Sequence, residues 1–322
     1  MSETLYPIPM TPAFRAGALT PWGGDRLKTI WAKPIPETPT GECLEVSCIP
    51  GLESRNPEGT PLPDLIARYG ESLVGRYAGK PFPLLLKLID ARESLSVQVH
   101  PTNAYAAKYE GGKLGKTEAW LILDTPPEGG ELVYGLRPGE TLASLRTACE
   151  GGKTVEPLLR RVTVFPGDVC YIPAGCVHAI GAGIMLYEIQ ESSDLTYRFY
   201  DWDRVDAAGQ RRQLHLEKAL AVTNLTLAPE PVRAERTPGV RRVLQEAYFS
   251  LDLIRGDGRK EIGLPQVSDF AMLTVLEGAP ELVGEGIRMA MEQGDTCLIP
   301  KSCPPLALRG RCAAAMAMPG AE

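Results

Sequence analysis

Gly167-Asp168-Val169-Cys170-Tyr171-Ile172-Pro173-Ala174-Gly175-Cys176-Val177-His178 holds two turns and a strand stop within twelve residues. Gly-Asp makes a turn, the residues to Ile172 form a short β-type run, and Pro173 stops it. Gly175 then starts a second turn that brings His178 onto the returning strand. The pattern returns 127 residues later (167 to 294) as Gly294-Asp295-Thr296-Cys297-Leu298-Ile299-Pro300. Both copies fit strand–turn–strand in a β-barrel. At the same offset His178 falls on Pro305, so if the chain holds two related barrels, only the first keeps a ligand there.

Outward from this stretch, strands run from Arg161 to about Tyr200, and the pattern from Pro83 to His100 is also extended. Three stretches read as helix. Over 64–75, Leu65, Ile66, Tyr69 and Leu73 share one side at helical spacing, with Asp64 placed as the cap. An insert over 141–159 is broken at Gly151-Gly152, and 216–223 reads as a short helix. Leu227-Ala228-Pro229-Glu230-Pro231 reads as a linker into a last β-rich segment.

A length of 322 residues suggests two domains, and 33 Gly with 29 Pro favour many short strands over a helical bundle. At 44% hydrophobic and 23% charged, the composition excludes a disordered chain. A formal net charge of −6 gives no footprint for nucleic acid. The first residues lack the basic and apolar regions of a signal peptide, and no apolar run reaches the ~20 residues of a membrane span. Eight cysteines without a C-x-x-C pair read as free thiols. A soluble cytoplasmic protein is expected; the motifs do not give the oligomeric state.

Two of the three histidines sit in informative places. In Leu95-Ser96-Val97-Gln98-Val99-His100 a period of two sends Ser96, Gln98 and His100 to one face. In a closed barrel these three converge on the cavity; in an open sheet the same face is solvated. His215 reads as a packing or capping residue before its helix, and Arg211-Arg212 as solvated charges.

Gly167, Pro173, Gly175 and His178 form G-x5-P-x-G-x2-H, which resembles the second sequence motif of the cupin superfamily, with Ala182 where many cupins carry Asn. Adding Gln98-x-His100-Pro101 and Gly115-Lys116-Thr117-Glu118-Ala119-Trp120, the chain resembles the type I mannose-6-phosphate isomerases of the short bacterial form. The resemblance covers most of 17–225. It includes Pro21-Trp22-Gly23-Gly24, Gly41-Glu42 with Glu45, and Tyr197-Arg198-Phe199-Tyr200-Asp201-Trp202-Asp203. Leu44 stands where the family usually has Trp.

The resemblance implies a mainly β protein. A catalytic cupin-like double-stranded β-helix (jelly roll) with helical inserts would occupy 1–226, and a smaller, degenerate cupin-like β domain 227–322. It implies a zinc ion held by His100, Glu118 and His178, with Gln98 as a fourth ligand or as a group that orients water. Two imidazoles and a carboxylate with an open position match a catalytic site rather than a closed structural one. The implied substrates are mannose 6-phosphate and fructose 6-phosphate, interconverted reversibly through an enediol.

Arg198 matches the family's active-site arginine and takes an electrostatic role, since arginine stays protonated. Glu188 is the favoured base: alternation puts Leu186, Glu188 and Gln190 on one face, and a carboxylate desolvated in a barrel can act with a raised pKa. Lys116 is the alternative proton carrier, and a structural salt bridge is the other reading of both. For the phosphate the candidates are Ser96, Lys87 and Arg204. The resemblance supports Lys87 and Ser96, whereas Arg204 also reads as a surface charge.

Two rivals stand beside this reading. A non-catalytic sugar-phosphate-binding or regulatory paralogue would keep the barrel but lack part of the set Lys116, Glu118, Glu188 and Arg198. A cupin oxygenase would prefer iron, and the Lys-Thr-Glu and Arg-Phe-Tyr-Asp segments argue against it.

Overall fold

Leu84–Ala91, an apolar run interrupted by Lys87 and Asp90, is buried along its whole length, as a strand is when both its faces are covered. In the computed structural model, which describes residues 4–205 and 209–321, this strand (β4) lies inside a seven-stranded antiparallel sheet. From edge to edge the sheet runs Val232–Arg233 (β13), Asp168–Ile172 (β9), Glu118–Asp124 (β6), Ile184–Glu191 (β11), β4, Thr40–Val46 (β3) and Ala13–Ala16 (β2). A five-stranded sheet accompanies it: Tyr197–Tyr200 (β12), Val97–Val99 (β5), His178–Ile180 (β10), Gly130–Leu136 (β7) and Leu159–Val164 (β8). Trp22, Ile89, Trp120, Leu132 and Leu186 pack together between them, so the pair forms one barrel with a shared interior.

The outer face of the five-stranded sheet is covered by helices Leu142–Glu150 and Leu216–Val222, whose Leu145 and Leu220 pack with Val97, Val99 and Phe199. Thr141 caps the first helix by accepting from the Ser144 N–H. The expected helix over 64–75 begins earlier and is divided. Leu62–Tyr69 starts after Pro61, and Glu71–Val74 follows Gly70, whose φ of +49° interrupts the turn. Asp64 is therefore not the cap; it lies in the first turn, where a carboxylate still complements the helix dipole.

The second barrel repeats the first. Its larger sheet runs Ile8–Pro9 (β1), Thr296–Pro300 (β20), Phe270–Gly278 (β17), Arg311–Pro319 (β22), Phe249–Asp257 (β15) and Gly239–Gln245 (β14). Its smaller sheet runs Ile262–Gly263 (β16), Leu306–Arg309 (β21), Glu281–Gly284 (β18) and Ile287–Ala290 (β19). Strand for strand, β3 to β11 correspond to β14 to β22 in the same neighbour order. The Gly-Asp echo found in the sequence is thus the turn before β9 and before β20, with φ of +98° at Gly167 and +96° at Gly294.

The two barrels exchange their edges: β1, from the start of the chain, completes the second, and β13, beyond the linker, completes the first. The outer faces of the two large sheets share one core, where Leu84, Leu86, Leu121 and Tyr187 meet Leu251, Met272, Ala315 and Ala317. Apolar burial is worth roughly 25 cal/mol per Å², so this shared core ties the second barrel to the strands of the first. Lys33 adds a polar link, 2.6 Å from Glu45 on β3 and donating to the Gly294 carbonyl at 2.5 Å.

Candidate active site

Register places the chemistry. Arg198, Gln98 and His178 lie in one row across β12, β5 and β10. In the facing sheet Trp120, Glu188 and Lys87 lie in one row across β6, β11 and β4. A cavity of about 410 Å³ opens between the rows, lined by Ser96, Gln98, Lys87, Lys116, Glu188 and Arg198 among others. Ser96 and Gln98 thus face the cavity as expected and His100 Nε2 lies 3.3 Å from Lys116 Nζ on the same side, while Val97 and Val99 are buried on the other side among the helices.

His100, Glu118 and His178 are buried just behind Gln98 and Lys116. Each offers one donor atom, and these atoms lie within 4.8 Å of one another. The loop carrying Glu118 is pinned to the strand end carrying His100: Gly115 N–H donates to Asn103 Oδ1 at 2.6 Å and Lys116 N–H to the Pro101 carbonyl at 3.0 Å. A Cβ at Gly115 would come within 2.4 Å of the Thr102 backbone, so only glycine permits this approach. Glu191 ties the other side, accepting from Thr117 N–H at 2.8 Å and from Asn103 Nδ2 at 2.6 Å. Gly175 N–H donates to the His100 carbonyl at 2.9 Å, which joins the turn before His178 to the same point.

The residues present fit a metal ion. His100 Nδ1 faces the Leu195 carbonyl at 2.8 Å and His178 Nδ1 the Cys176 carbonyl at 2.9 Å. Each Nδ1 therefore carries the proton, and each Nε2 lone pair is left to ligate. Both oxygens of Glu118 are buried without a hydrogen-bond partner of good geometry among the described residues; Lys116 Nζ stands 2.5 Å away and His178 Nε2 3.2 Å away. Burial opposes ionisation of Glu118, but the Lys116 ammonium outweighs it and holds the carboxyl well below its usual range. Burial, with the Lys116 ammonium, pushes His100 well below the ordinary imidazole value, so its ring is neutral. Gln98 Nε2 is 3.3 Å from His178 Nε2, and its Oε1 accepts from Ser96 Oγ at 3.3 Å.

Glu188 is held on both oxygens. Lys87 Nζ lies 3.1 Å from Oε1, and the Trp120 indole N–H donates to Oε2 at 3.0 Å. Lys87 is also 3.6 Å from Glu42, which Arg15 contacts at 3.1 Å. The lysine expected at the phosphate lines the cavity and also stands between two buried carboxylates. The Lys116 ammonium is buried too; desolvation works against its charge, but Glu118 and Glu188 outweigh it and raise its pKa.

Arg204 is not among the cavity-lining residues; it donates to the Ser94 carbonyl at 2.6 Å and pairs with Asp201 at 3.4 Å and Glu93 at 3.6 Å. Arg212, read from sequence as a solvated charge, does line the cavity, with both carboxylate oxygens of Asp201 behind it at 2.7 and 2.5 Å. His215 also lines it, and although it stands at a helix N-terminus its side chain caps nothing there. The role of Trp120 was missed as well. A period of two from Glu118 places it on the cavity face, which is the signal that finds it.

Two family profiles match the chain: phosphomannose isomerase type I, catalytic domain, over residues 18–144, and mannose-6-phosphate isomerase, cupin domain, over 240–319. The mannose-6-phosphate isomerase ManA of Bacillus subtilis (strain 168) is 37% identical over 305 residues, 92% of this chain and 94% of that protein. The mannose-6-phosphate isomerase of Streptococcus mutans serotype c is 36% identical over 293 residues, 87% of this chain and 89% of that protein. The crystal structure of the mannose 6-phosphate isomerase from Bacillus subtilis matches with a TM-score of 0.88 at 33% identity, over 97% of this chain and 99% of that one. The similarity therefore extends through the second barrel, beyond the stretch whose motifs carry it.

Proposed function

This chain belongs to the type I mannose-6-phosphate isomerase family, and from that membership we propose that it interconverts mannose 6-phosphate and fructose 6-phosphate with zinc bound by His100, Glu118 and His178. One observation carries the reading: a buried carboxylate, Glu188, held on both oxygens, lines the same cavity as Gln98 and Lys116, which stand in front of the His-Glu-His cluster. Gln98 stands beside that cluster, and turning its amide over brings Oε1 to the His178 side as a fourth donor. Bound zinc would polarise the sugar carbonyl and stabilise negative charge on oxygen without itself transferring protons. Residues 1–226 carry every group in this set, and 227–322 supply the supporting barrel apart from β1, while giving β13 to the first. There Pro305 precedes β21, and Ala271 takes the register position of Glu118, since Ala271 pairs with Ile299 as Glu118 pairs with Ile172.

Glu188 removes the proton from C2 of the opened aldose and delivers it to C1. The aldehyde oxygen gains a proton and the C2 hydroxyl loses one, so the sugar leaves as the ketose and nothing is oxidised or reduced overall. Trp120 and Lys87 fix the two carboxylate oxygens so that the base meets the carbon in one orientation. Lys116, charged and facing the cavity, hydrogen-bonds the substrate oxygens and relays the proton between them. Arg198 neutralises the enediolate that forms between the two transfers. At the phosphate end we assign Ser96 with Arg212, the cavity-lining arginine braced by Asp201, in place of Arg204. Eight free thiols support a cytoplasmic location.

Purified protein loaded with zinc and given mannose 6-phosphate is expected to form fructose 6-phosphate, to stop on chelation, and to resume when zinc is returned. Folded, zinc-loaded protein that binds sugar phosphate without turnover would instead make it a binding protein.

A further inference from the structure

Arg198 lines the cavity, and its Nε is buried without a hydrogen-bond partner among the described residues. It sits on β12, the edge strand of the five-stranded sheet, just before a register irregularity at Arg198/Tyr200. The backbone at residue 198 therefore helps to set the direction of the guanidinium. In an antiparallel strand one residue's N–H and C=O point to the same edge. Both such groups of Arg198 are taken by a single residue seventeen positions on. The His215 N–H donates to the Arg198 carbonyl at 2.9 Å, and the Arg198 N–H donates to His215 Nδ1 at 3.3 Å.

His215 thus stands in for a strand at the open edge, with its ring in the place of a carbonyl. An Nδ1 that accepts leaves the ring proton on Nε2, the opposite tautomer to His100 and His178, whose Nδ1 atoms face carbonyl oxygens. Burial and the charges of Arg198 and Lys218 lower the His215 pKa, which favours this neutral, accepting form. The ring lies 6.3 Å from that of Tyr197, the residue before Arg198, so packing and hydrogen bonding act on the same two residues of β12.

We propose that His215 is a positioning residue for the isomerisation: its peptide N–H and its Nδ1 clamp the Arg198 peptide and so aim the guanidinium at the enediolate. The proposal rests on the isomerase reading above.

In zinc-loaded protein, His215→Ala is expected to lose about ten-fold in kcat or more, with KM changed less than about two-fold and zinc content unchanged. His215→Asn, whose Oδ1 can take the place of Nδ1, is expected to recover kcat to within about three-fold of the unmodified chain. Normal kcat in the alanine variant, a loss confined to KM, or failure of folded His215→Asn to recover would each overturn the clamp. A spectrum of nitrogen-15 histidine-labelled, unmutated protein tests the same point without activity. One ring with its proton on Nε2 and two with it on Nδ1 support the proposal; three alike contradict it. Absence of turnover in the unmutated, zinc-loaded chain would remove the isomerase reading instead, a result distinct from any of these.

Discussion

Lys87 and Glu188 face each other in register on the neighbouring strands β4 and β11, both buried, with Nζ 3.1 Å from Oε1. The apolar run around Lys87 makes sense through this pair: the strand is covered on both faces, and the ammonium it carries inward meets Glu188 on β11 and, farther off, Glu42 on β3. Removing the ammonium leaves Glu188 and Glu42 buried without it, which costs about 3–5 kcal/mol for a broken buried pair. Lys87→Met is therefore expected to lower the unfolding free energy in urea by that order. The double variant Lys87→Met/Glu188→Gln should recover a large part, and equal losses in the single and double variants would show that the pair is not coupled.

His178→Ala should bring the metal content of purified protein close to zero, measured by elemental analysis, while circular dichroism retains the β signal. Glu118→Gln keeps an oxygen donor but removes its charge, and is expected to weaken zinc binding about ten-fold or more in a chelator competition. Full metal occupancy in both variants would contradict the assigned ligands.

Gly115→Ala tests the link between loop geometry and ligation. A Cβ there presses on the backbone of Thr102 and Asn103 and on the Pro101 carbonyl, so the loop carrying Glu118 must shift. A loss of about 1–3 kcal/mol in stability is expected, together with weaker zinc binding. Lost stability with unaltered zinc affinity would show that Glu118 is placed independently of that turn.

Arg212 and Arg204 separate cleanly. Arg212→Ala should raise KM for mannose 6-phosphate about ten-fold with little change in kcat, whereas Arg204→Ala should leave KM within about two-fold. The reverse pattern, read from steady-state kinetics on both substrates, would return the phosphate to Arg204, the third candidate named from sequence.

The local periodicities of the sequence carried a large share of this structure. The alternation Ser96, Gln98, His100 and the turn spacing up to His178 depend on neighbours in the chain, and both survive folding unchanged. The same holds for the helix capped by Thr141 and broken at Gly151-Gly152. What local pattern missed is long-range. Asp64 had the chemistry of a cap, but Pro61 and Pro63 start the helix earlier. The edge strands β1 and β13 are two residues each, too short for any periodicity, and they acquire their place only when the barrels dock. Lys87, Arg204 and Arg212 are all basic, and sequence could not sort them: two carboxylates claim the first, the Ser94 carbonyl and Asp201 hold the second outside the cavity, and Asp201 braces the third along its wall. His215 looked unremarkable because its partner, Arg198, is recognised through its backbone.

Glu188 is assigned the proton transfer beside a metal it does not ligate. The direct test is the zinc content and turnover of Glu188→Gln measured on one preparation. Full zinc occupancy with turnover lowered about 10²–10⁴-fold is the expected result for loss of a positioned base. Near-normal turnover in the zinc-loaded variant would contradict the claim and transfer the proton step to another group of the cavity.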